Sequence, residues 1–127
     1  MELAIQKIII ISFLIIGLSH IIQHRAWAEF FIALRKQGTT GNFFNAFLNL
    51  WSGTLIVAFH NVWSGIPLVL TLFGWAFCLK GLIYFVFPQA GLRMLARVSL
   101  ERSREFIVVG LVMVVYAGLL AYSIYSK

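Results

Sequence analysis

Four long apolar segments limit the folds that this chain can adopt. They cover Leu3–Ile22, Phe43–Phe59, Ile66–Phe87 and Phe106–Tyr125. Each is close to the ~20 residues that a helix needs to cross the hydrocarbon core of a membrane. Because backbone groups in lipid must bond within their own segment, we predict helices rather than strands.

The overall composition leads to the same fold class. Hydrophobic residues make up 61% of the chain and charged residues 11%, whereas a soluble domain has about 25% charged residues. The chain therefore lacks the charges to cover a water-facing surface. We predict an all-α integral membrane protein of four transmembrane helices, forming a single membrane domain over residues 1–127.

The basic residues between the segments predict the orientation of the chain. The first and third connections together hold Arg25, Arg35, Lys36, Arg93, Arg97, Arg102 and Arg104. The middle connection, Asn61–Gly65, carries no charge. Cytoplasmic connections are enriched in Lys and Arg, so both basic connections should be cytoplasmic and both termini outside. The net charge of +6 then suits anionic headgroups rather than nucleic acid.

The two basic connections are predicted to contain amphipathic helices that lie in the membrane interface. In the first, residues at helical spacing separate into two faces. The apolar face holds Trp27, Phe30, Phe31 and Leu34, and the polar face holds Arg25, Glu29 and Lys36. The segment Gln37–Gly41 should end this helix and turn the chain back. The expected lipid-contacting residues are Arg25, Trp27, Phe30, Phe31, Arg35, Lys36, Arg93 and Arg97.

The chain also shows an internal repeat. At an offset of 64 residues, Gly17-Leu18 aligns with Gly81-Leu82 and Ala26 with Ala90, and at an offset of 65, Trp51, Gly53 and Leu55 align with Tyr116, Gly118 and Leu120. Each unit would be a helix, an interfacial helix and a second helix. Since both units have the same orientation, we predict a parallel tandem repeat about an axis along the membrane normal, with units 1–62 and 66–127.

The second unit carries a short pattern of apolar and basic residues. It comprises Gly81-Leu82, Phe87-Pro88, Leu92-Arg93-Met94-Leu95 and Arg104 followed after five residues by Gly110. This pattern resembles the single hairpin of very small, uncharacterised bacterial inner-membrane proteins. The resemblance implies a multi-pass protein of the bacterial inner membrane and no catalytic activity.

A cleaved signal peptide is a weaker interpretation of the N-terminal segment. Ile8–Leu18 would be its apolar core and Ala26-Trp27-Ala28 its cleavage site. However, His24 and Arg25 occupy the region that is normally neutral before such a site. We therefore expect the first segment to remain as a transmembrane helix.

Two histidines raise the possibility of metal binding. His20 and His24 are four residues apart on one helix face, a spacing that can hold one ion. His60 should lie near the opposite membrane boundary and cannot join them, so further ligands would have to come from Gln23, Glu29 or a neighbouring subunit. The alternative is that His24 marks the headgroup region and His20 bonds to another helix. We expect no metal and no cofactor.

Lys80 is a charge within an apolar segment, and such charges call for a functional hypothesis. It could line a pathway or bind a ligand, together with His20 and His24. Alternatively, its long stem could carry the ammonium to the inner headgroups, or it could contact Glu29 on the same side. The second segment has a polar stripe that is expected to mediate helix packing rather than a solute path. The packing residues are Asn45, Asn49, Ser52 and Gly53.

Signatures of enzymes are missing from the sequence, which has no carboxylate pair, nucleophile elbow, phosphate-binding loop or CxxC motif. The expected function is that of a non-enzymatic membrane protein. It would act by helix packing, as a homo-oligomer or an accessory subunit of a larger membrane complex, and by contact with anionic headgroups of the inner leaflet. The alternatives are a small permeation or transport protein and a membrane metal-binding protein.

Overall fold

The computed structural model describes residues 1–126 and consists of six α-helices, with no strand in that range. The helices are α1 (Glu2–Ile22), α2 (His24–Lys36), α3 (Thr39–Phe59), α4 (Pro67–Val86), α5 (Pro88–Ala96) and α6 (Arg104–Tyr125). Four of them, α1, α3, α4 and α6, are long and apolar enough to cross a membrane. The predicted all-helical fold with four candidate spanning helices is thus confirmed, and it indicates a multi-pass membrane protein.

One helix boundary differs clearly from the prediction. α3 begins at Thr39, whereas the apolar segment begins at Phe43. The predicted turn over residues 37–41 is confined to Gln37 and Gly38, because Gly38 has a φ of 64° and reverses the chain by itself. Gly41 belongs to the first turn of α3, where an added Cβ would overlap the carbonyl of Leu34.

The long helices form two antiparallel pairs, α1 with α6 and α3 with α4. Glycines allow the close approach of the paired backbones, as small residues do in membrane helix packing. Gly17 and Gly110 face each other across the first pair. In the second pair, Gly53 lies against the backbone of Cys78, and Gly81 lies against Leu50.

An apolar core joins the two pairs from the middle of the bundle to the end that carries the start of α1 and the end of α6, here called the terminal end. Its buried residues are Ile10, Phe13, Ile56, Leu70, Tyr116, Ala117 and Leu120. Phe73 completes the centre, with its ring centroid 6.2 Å from that of Phe13 and 5.7 Å from that of Tyr116. Ile5 and Ile124 both pack on this core, so the two termini lie at the same end.

α2 and α5 lie at the opposite end, here called the short-helix end. They contact each other, and they also connect the two pairs, since α2 packs on α3 and α6 while α5 packs on α3 and α4. Between the two ends, clefts open at both sides of the bundle. One lies between α1 and α3 and is lined by Ser12, Ser52 and Phe77, and the other lies between α4 and α6. The two pairs are therefore joined by the apolar core and by α2 and α5.

Candidate functional site

The site with the strongest charge pattern is a groove between α4 and α5. Three cations line it, Lys80 from α4 and Arg93 and Arg97 from α5. The rest of the lining comes from Ile83, Tyr84, Ala90 and Met94. We call this the cationic groove. Phe87 and Pro88 form the junction that turns α5 against α4, and Pro88 suits the first position of α5 because its missing N–H would be unpaired there.

Lys80 is exposed and lies in the second half of α4. Its Cα is about 9 Å before the end of that helix at 1.5 Å per residue. The structure places it beside Arg93 and Arg97 and not beside Glu29. Glu29 is on α2, and the extensive packing of α2 involves α1, α3, α5 and α6 rather than α4. The candidate set of His20, His24, Lys80 and Glu29 therefore does not come together in residues 1–126.

A second groove occupies the matching position between α1 and α2. Its lining residues Ser19, Ala26 and Phe30 stand 64 residues before Ile83, Ala90 and Met94 of the cationic groove. Trp27 crosses it, donating a hydrogen bond from Nε1 to Ser19 Oγ over 2.9 Å. The positions that correspond to the three cations are occupied by Ile16, Glu29 and Ala33. The two grooves thus share three lining positions at this offset but differ in charge.

Arg35 does not project freely toward solvent. Its Nη1 donates hydrogen bonds to the carbonyl of Val98 at 2.9 Å and to that of Ala96 at 3.4 Å. These carbonyls follow the last turn of α5, where a cation is favourable because of the helix dipole. Arg35 therefore fastens the end of α5 to α2.

Two further contacts fasten the short-helix end. His24 Nδ1 lies 3.0 Å from Ser103 Oγ, which connects α2 to the start of α6. Asn42 is fully buried and donates from Nδ2 to the carbonyl of Tyr84 at 3.0 Å, which connects α3 to α4. Asn42 Oδ1 has no hydrogen-bond partner and faces Gly91, where an added Cβ would collide with it. The Cα–H of Gly91 therefore points at this oxygen in the manner of a weak Cα–H···O contact.

The histidine pair does not form a metal site with other residues of the described chain. His20 donates from Nδ1 to the carbonyl of Ile16 at 2.8 Å and stacks on Trp27, with ring centroids 4.1 Å apart. His24 is engaged with Ser103. Within residues 1–126, no three side chains of His, Cys, Asp or Glu are grouped as a metal ion requires.

The polar stripe of α3 bonds within its own helix. Asn49 donates from Nδ2 to the carbonyl of Asn45 at 2.8 Å, with Asn45 Oδ1 at 3.4 Å. Ser52 is exposed at the cleft between α1 and α3. Of the four predicted packing residues, Gly53 is the one that is buried against a facing backbone.

The remaining predicted lipid-contacting residues lie on α2. Arg25, Phe30 and Lys36 are exposed, while Trp27 and Phe31 are half-buried. Phe31 stacks on Phe106 of α6, with ring centroids 5.7 Å apart. Of the aromatic residues of α2, Trp27 and Phe31 therefore pack partly against the protein, and Phe30 is left on the outer surface.

A buried polar cluster at the terminal end was missed by the sequence analysis. Gln6 Nε2 lies 3.1 Å from His60 Nε2, and His60 Nδ1 lies 2.9 Å from Thr71 Oγ1. The hydroxyl of Thr71 donates to the carbonyl of Val62 at 2.7 Å. His60 and Thr71 are fully buried, and Gln6 nearly so. The only sequence signal was the presence of single polar residues near the ends of three apolar segments.

Comparisons with protein-family models, with curated proteins and with solved structures found no match to this chain.

Proposed function

We propose that this protein is a non-enzymatic multi-pass membrane protein with two linked activities. It packs its helices against further copies of itself or against the subunits of a larger membrane complex, and it holds anionic lipid at the short-helix end. The lipid part rests on one observation, the presence of Lys80, Arg93 and Arg97 in a single groove with no acidic residue in its lining.

The packing part is supported by the surface of the bundle. Large apolar side chains are exposed along all four long helices; examples are Ile15, Trp51, Leu79 and Val112. In a membrane these side chains contact lipid or other helices. The clefts between the two helix pairs offer further surface to a neighbouring helix.

A parallel tandem repeat with units 1–62 and 66–127 is supported by how the helix contacts interchange. If α1, α2 and α3 correspond to α4, α5 and α6, the pairing of α1 with α6 corresponds to that of α4 with α3. The contact of α2 with α6 likewise corresponds to that of α5 with α3, and the contact between α2 and α5 falls on the axis. The groove between α1 and α2 corresponds in the same way to the cationic groove between α4 and α5.

The short-helix end is proposed to face the cytoplasm, with α2 and α5 in the membrane interface and both termini outside. The basic residues of the connections support this orientation, since positive charge is retained on the cytoplasmic side. The location proposed is the inner membrane of a bacterium, in line with the resemblance of the second unit to bacterial hairpin proteins.

The permeation and metal-binding alternatives receive less support. A path would have to bring Lys80 and His20 together, but Lys80 lines an exposed groove while His20 is stacked on Trp27. The centre of the bundle is filled by aromatic rings rather than by polar groups.

The test is native mass spectrometry of the protein extracted gently from its own membrane. We expect a multiple of the 14.4 kDa chain, or a defined complex with other subunits, carrying anionic lipid in excess of its share of the bulk membrane. The control is an extract of an unrelated four-helix membrane protein from the same cells. A bare monomer whose few lipids match the bulk composition would contradict the proposal.

A further inference from the structure

We infer that the cationic groove is a binding site for one phospholipid whose headgroup carries two negative charges. This inference deepens the proposed lipid contact and depends on it. The groove brings three cations together with an apolar wall, and its open volume is about 410 Å³, within the usual range of about 300–1,000 Å³ for small-molecule sites. Basic pockets beside membrane helices suit anionic headgroups because the phosphate stays at the interface.

The charge of the site selects the ligand. Lys80, Arg93 and Arg97 are exposed, and none of them has a hydrogen-bond or ion-pair partner within residues 1–126. Their positive charge is therefore available to a ligand. A single phosphodiester would leave most of it uncompensated, whereas a headgroup with two negative charges neutralises the greater part.

The arrangement of the cations fits phosphate oxygens. Arg93 and Arg97 are four residues apart on α5 and therefore on one helix face. A guanidinium binds phosphate through two parallel hydrogen bonds, while an ammonium acts as a point charge. The two arginines would thus hold the phosphates at the level of α5. Lys80, which comes from the spanning helix, would approach them from the side of the hydrocarbon.

The apolar lining accounts for the rest of the lipid. Ile83 lies between Lys80 and the end of α4, and Ala90 and Met94 are on the adjoining face of α5. These side chains offer contact to the first part of an acyl chain. The site therefore distinguishes a phospholipid from a free phosphate, which would gain nothing from them.

The matching groove between α1 and α2 provides an internal comparison. It lies between the first two helices, with Trp27 in its lining. At the positions 64 residues before Lys80, Arg93 and Arg97, the sequence has Ile16, Glu29 and Ala33. A carboxylate at that position repels a phosphate. We therefore expect one tightly bound anionic lipid per chain rather than two.

Lipid titration followed by native mass spectrometry tests the site. The full chain in a mild, uncharged detergent is mixed with cardiolipin, which carries two phosphates, or with phosphatidylcholine, which has no net charge. The wild-type chain should bind one cardiolipin at least tenfold more tightly than phosphatidylcholine. Each cation near a phosphate contributes about fivefold. The triple variant Lys80→Gln/Arg93→Gln/Arg97→Gln should therefore lose on the order of 100-fold in cardiolipin affinity.

The matched control is the triple variant Lys7→Gln/Arg102→Gln/Arg104→Gln. It removes the same charge from three exposed residues that line no part of the groove, and it should lose less than about fivefold because those charges lie outside the site. None of the six side chains bonds to the protein within residues 1–126, so both variants should fold. If the groove variant nevertheless fails to insert, the single variant Arg97→Gln replaces it. This variant should lose about fivefold in cardiolipin affinity, and an unchanged affinity would contradict the proposed site.

These measurements distinguish a failure of the proposed site from a failure of the proposed lipid contact. Equal losses in the two triple variants would show that the basic residues act as a diffuse surface, which overturns the site but leaves the proposed lipid contact intact. A wild-type chain that binds both lipids equally would overturn the site and the proposed lipid contact together. Displacement of cardiolipin by inorganic phosphate alone would overturn the role of the apolar wall and identify a free-phosphate site.

Discussion

Gln6 of α1 donates a hydrogen bond to His60 at the end of α3, over 3.1 Å between their Nε2 atoms. The direction of this bond follows from the neighbours of His60. Thr71 donates its single hydroxyl hydrogen to the carbonyl of Val62, so its oxygen must accept a hydrogen bond from the Nδ1–H of His60. Neutral His60 then has Nε2 free as an acceptor. One imidazole thereby joins α1, α3 and α4 at the terminal end.

Removing the partner of His60 should destabilise the bundle. Gln6→Leu keeps a similar side-chain volume but leaves the buried Nε2 of His60 without a donor, at a cost of about 1–3 kcal/mol in the free energy of unfolding. Denaturant unfolding in detergent micelles, followed by circular dichroism, measures the loss. The control is Gln89→Leu, which makes the same change at an exposed position of α5. Equal stabilities of the two variants would show that the bond contributes nothing.

The stability of the bundle should decrease in mild acid because of His60. Burial lowers the pKa of His60 below its ordinary value of 6.5, and the nearby carboxylate of Glu2 offsets this only in part. Between the lowered pKa and 6.5, the unfolded chain binds more protons than the folded one. The free energy of unfolding is therefore unaffected by this group above about pH 7 and falls as the pH drops through 6.5.

Melting temperatures between pH 8 and pH 5 test this dependence. The wild-type chain should lose stability over that range more steeply than His60→Gln, which has no titrating ring. Glu2→Gln removes the carboxylate that opposes the shift, so its loss should be steeper still. Parallel curves for the wild-type chain and His60→Gln would contradict the prediction.

The sequence could predict the helices because lipid leaves the backbone few alternatives. The four apolar segments matched α1, α3, α4 and α6 to within four residues at each end. The largest error, at the start of α3, arose because Thr39–Gly41 were assigned to a turn and the polar Asn42 was left outside the apolar segment. Asn42 is helical because its amide is buried against the carbonyl of Tyr84, a contact that the sequence of α3 alone cannot reveal.

The residues of the candidate site were harder to predict from the sequence than the helices. Arg93 and Arg97 were predicted to contact lipid, while Lys80 was assigned to a different candidate site with His20, His24 and Glu29. The groove that the three cations share depends on the angle at which α5 turns back on α4. A contact between Lys80 and Glu29 was one of the alternatives for Lys80 because both were predicted on the cytoplasmic side, yet α2, which carries Glu29, packs on α3 and α6 instead. The contact between Gln6 and His60 joins residues 54 positions apart and depends on how the helix pairs assemble.

Gly53 and Gly118, which the proposed repeat would align, should respond in opposite ways to alanine. In Gly53→Ala, the new methyl group would overlap the backbone of Cys78, so α3 and α4 would have to separate, at a cost of about 1–3 kcal/mol. In Gly118→Ala, nothing lies within 4 Å of the new Cβ, and the better helix propensity of alanine should stabilise by up to about 1 kcal/mol. Thermal unfolding in detergent compares them. Similar destabilisation in both variants would contradict the close approach at Gly53.

Arg35 should control the order of α5 through its bonds to the carbonyls of Ala96 and Val98. In Arg35→Gln, the shorter amide cannot reach these carbonyls, and the favourable cation at the end of α5 is lost, which together should cost about 0.5–2 kcal/mol locally. The amides of α5 should then exchange with deuterium about two- to thirtyfold faster, while those of α1 and α6 keep their rates. The neighbouring variant Lys36→Gln removes the same charge from an exposed side chain and should leave α5 unchanged. Faster exchange in both variants would mean that net charge, rather than the contact of Arg35, holds α5 in place.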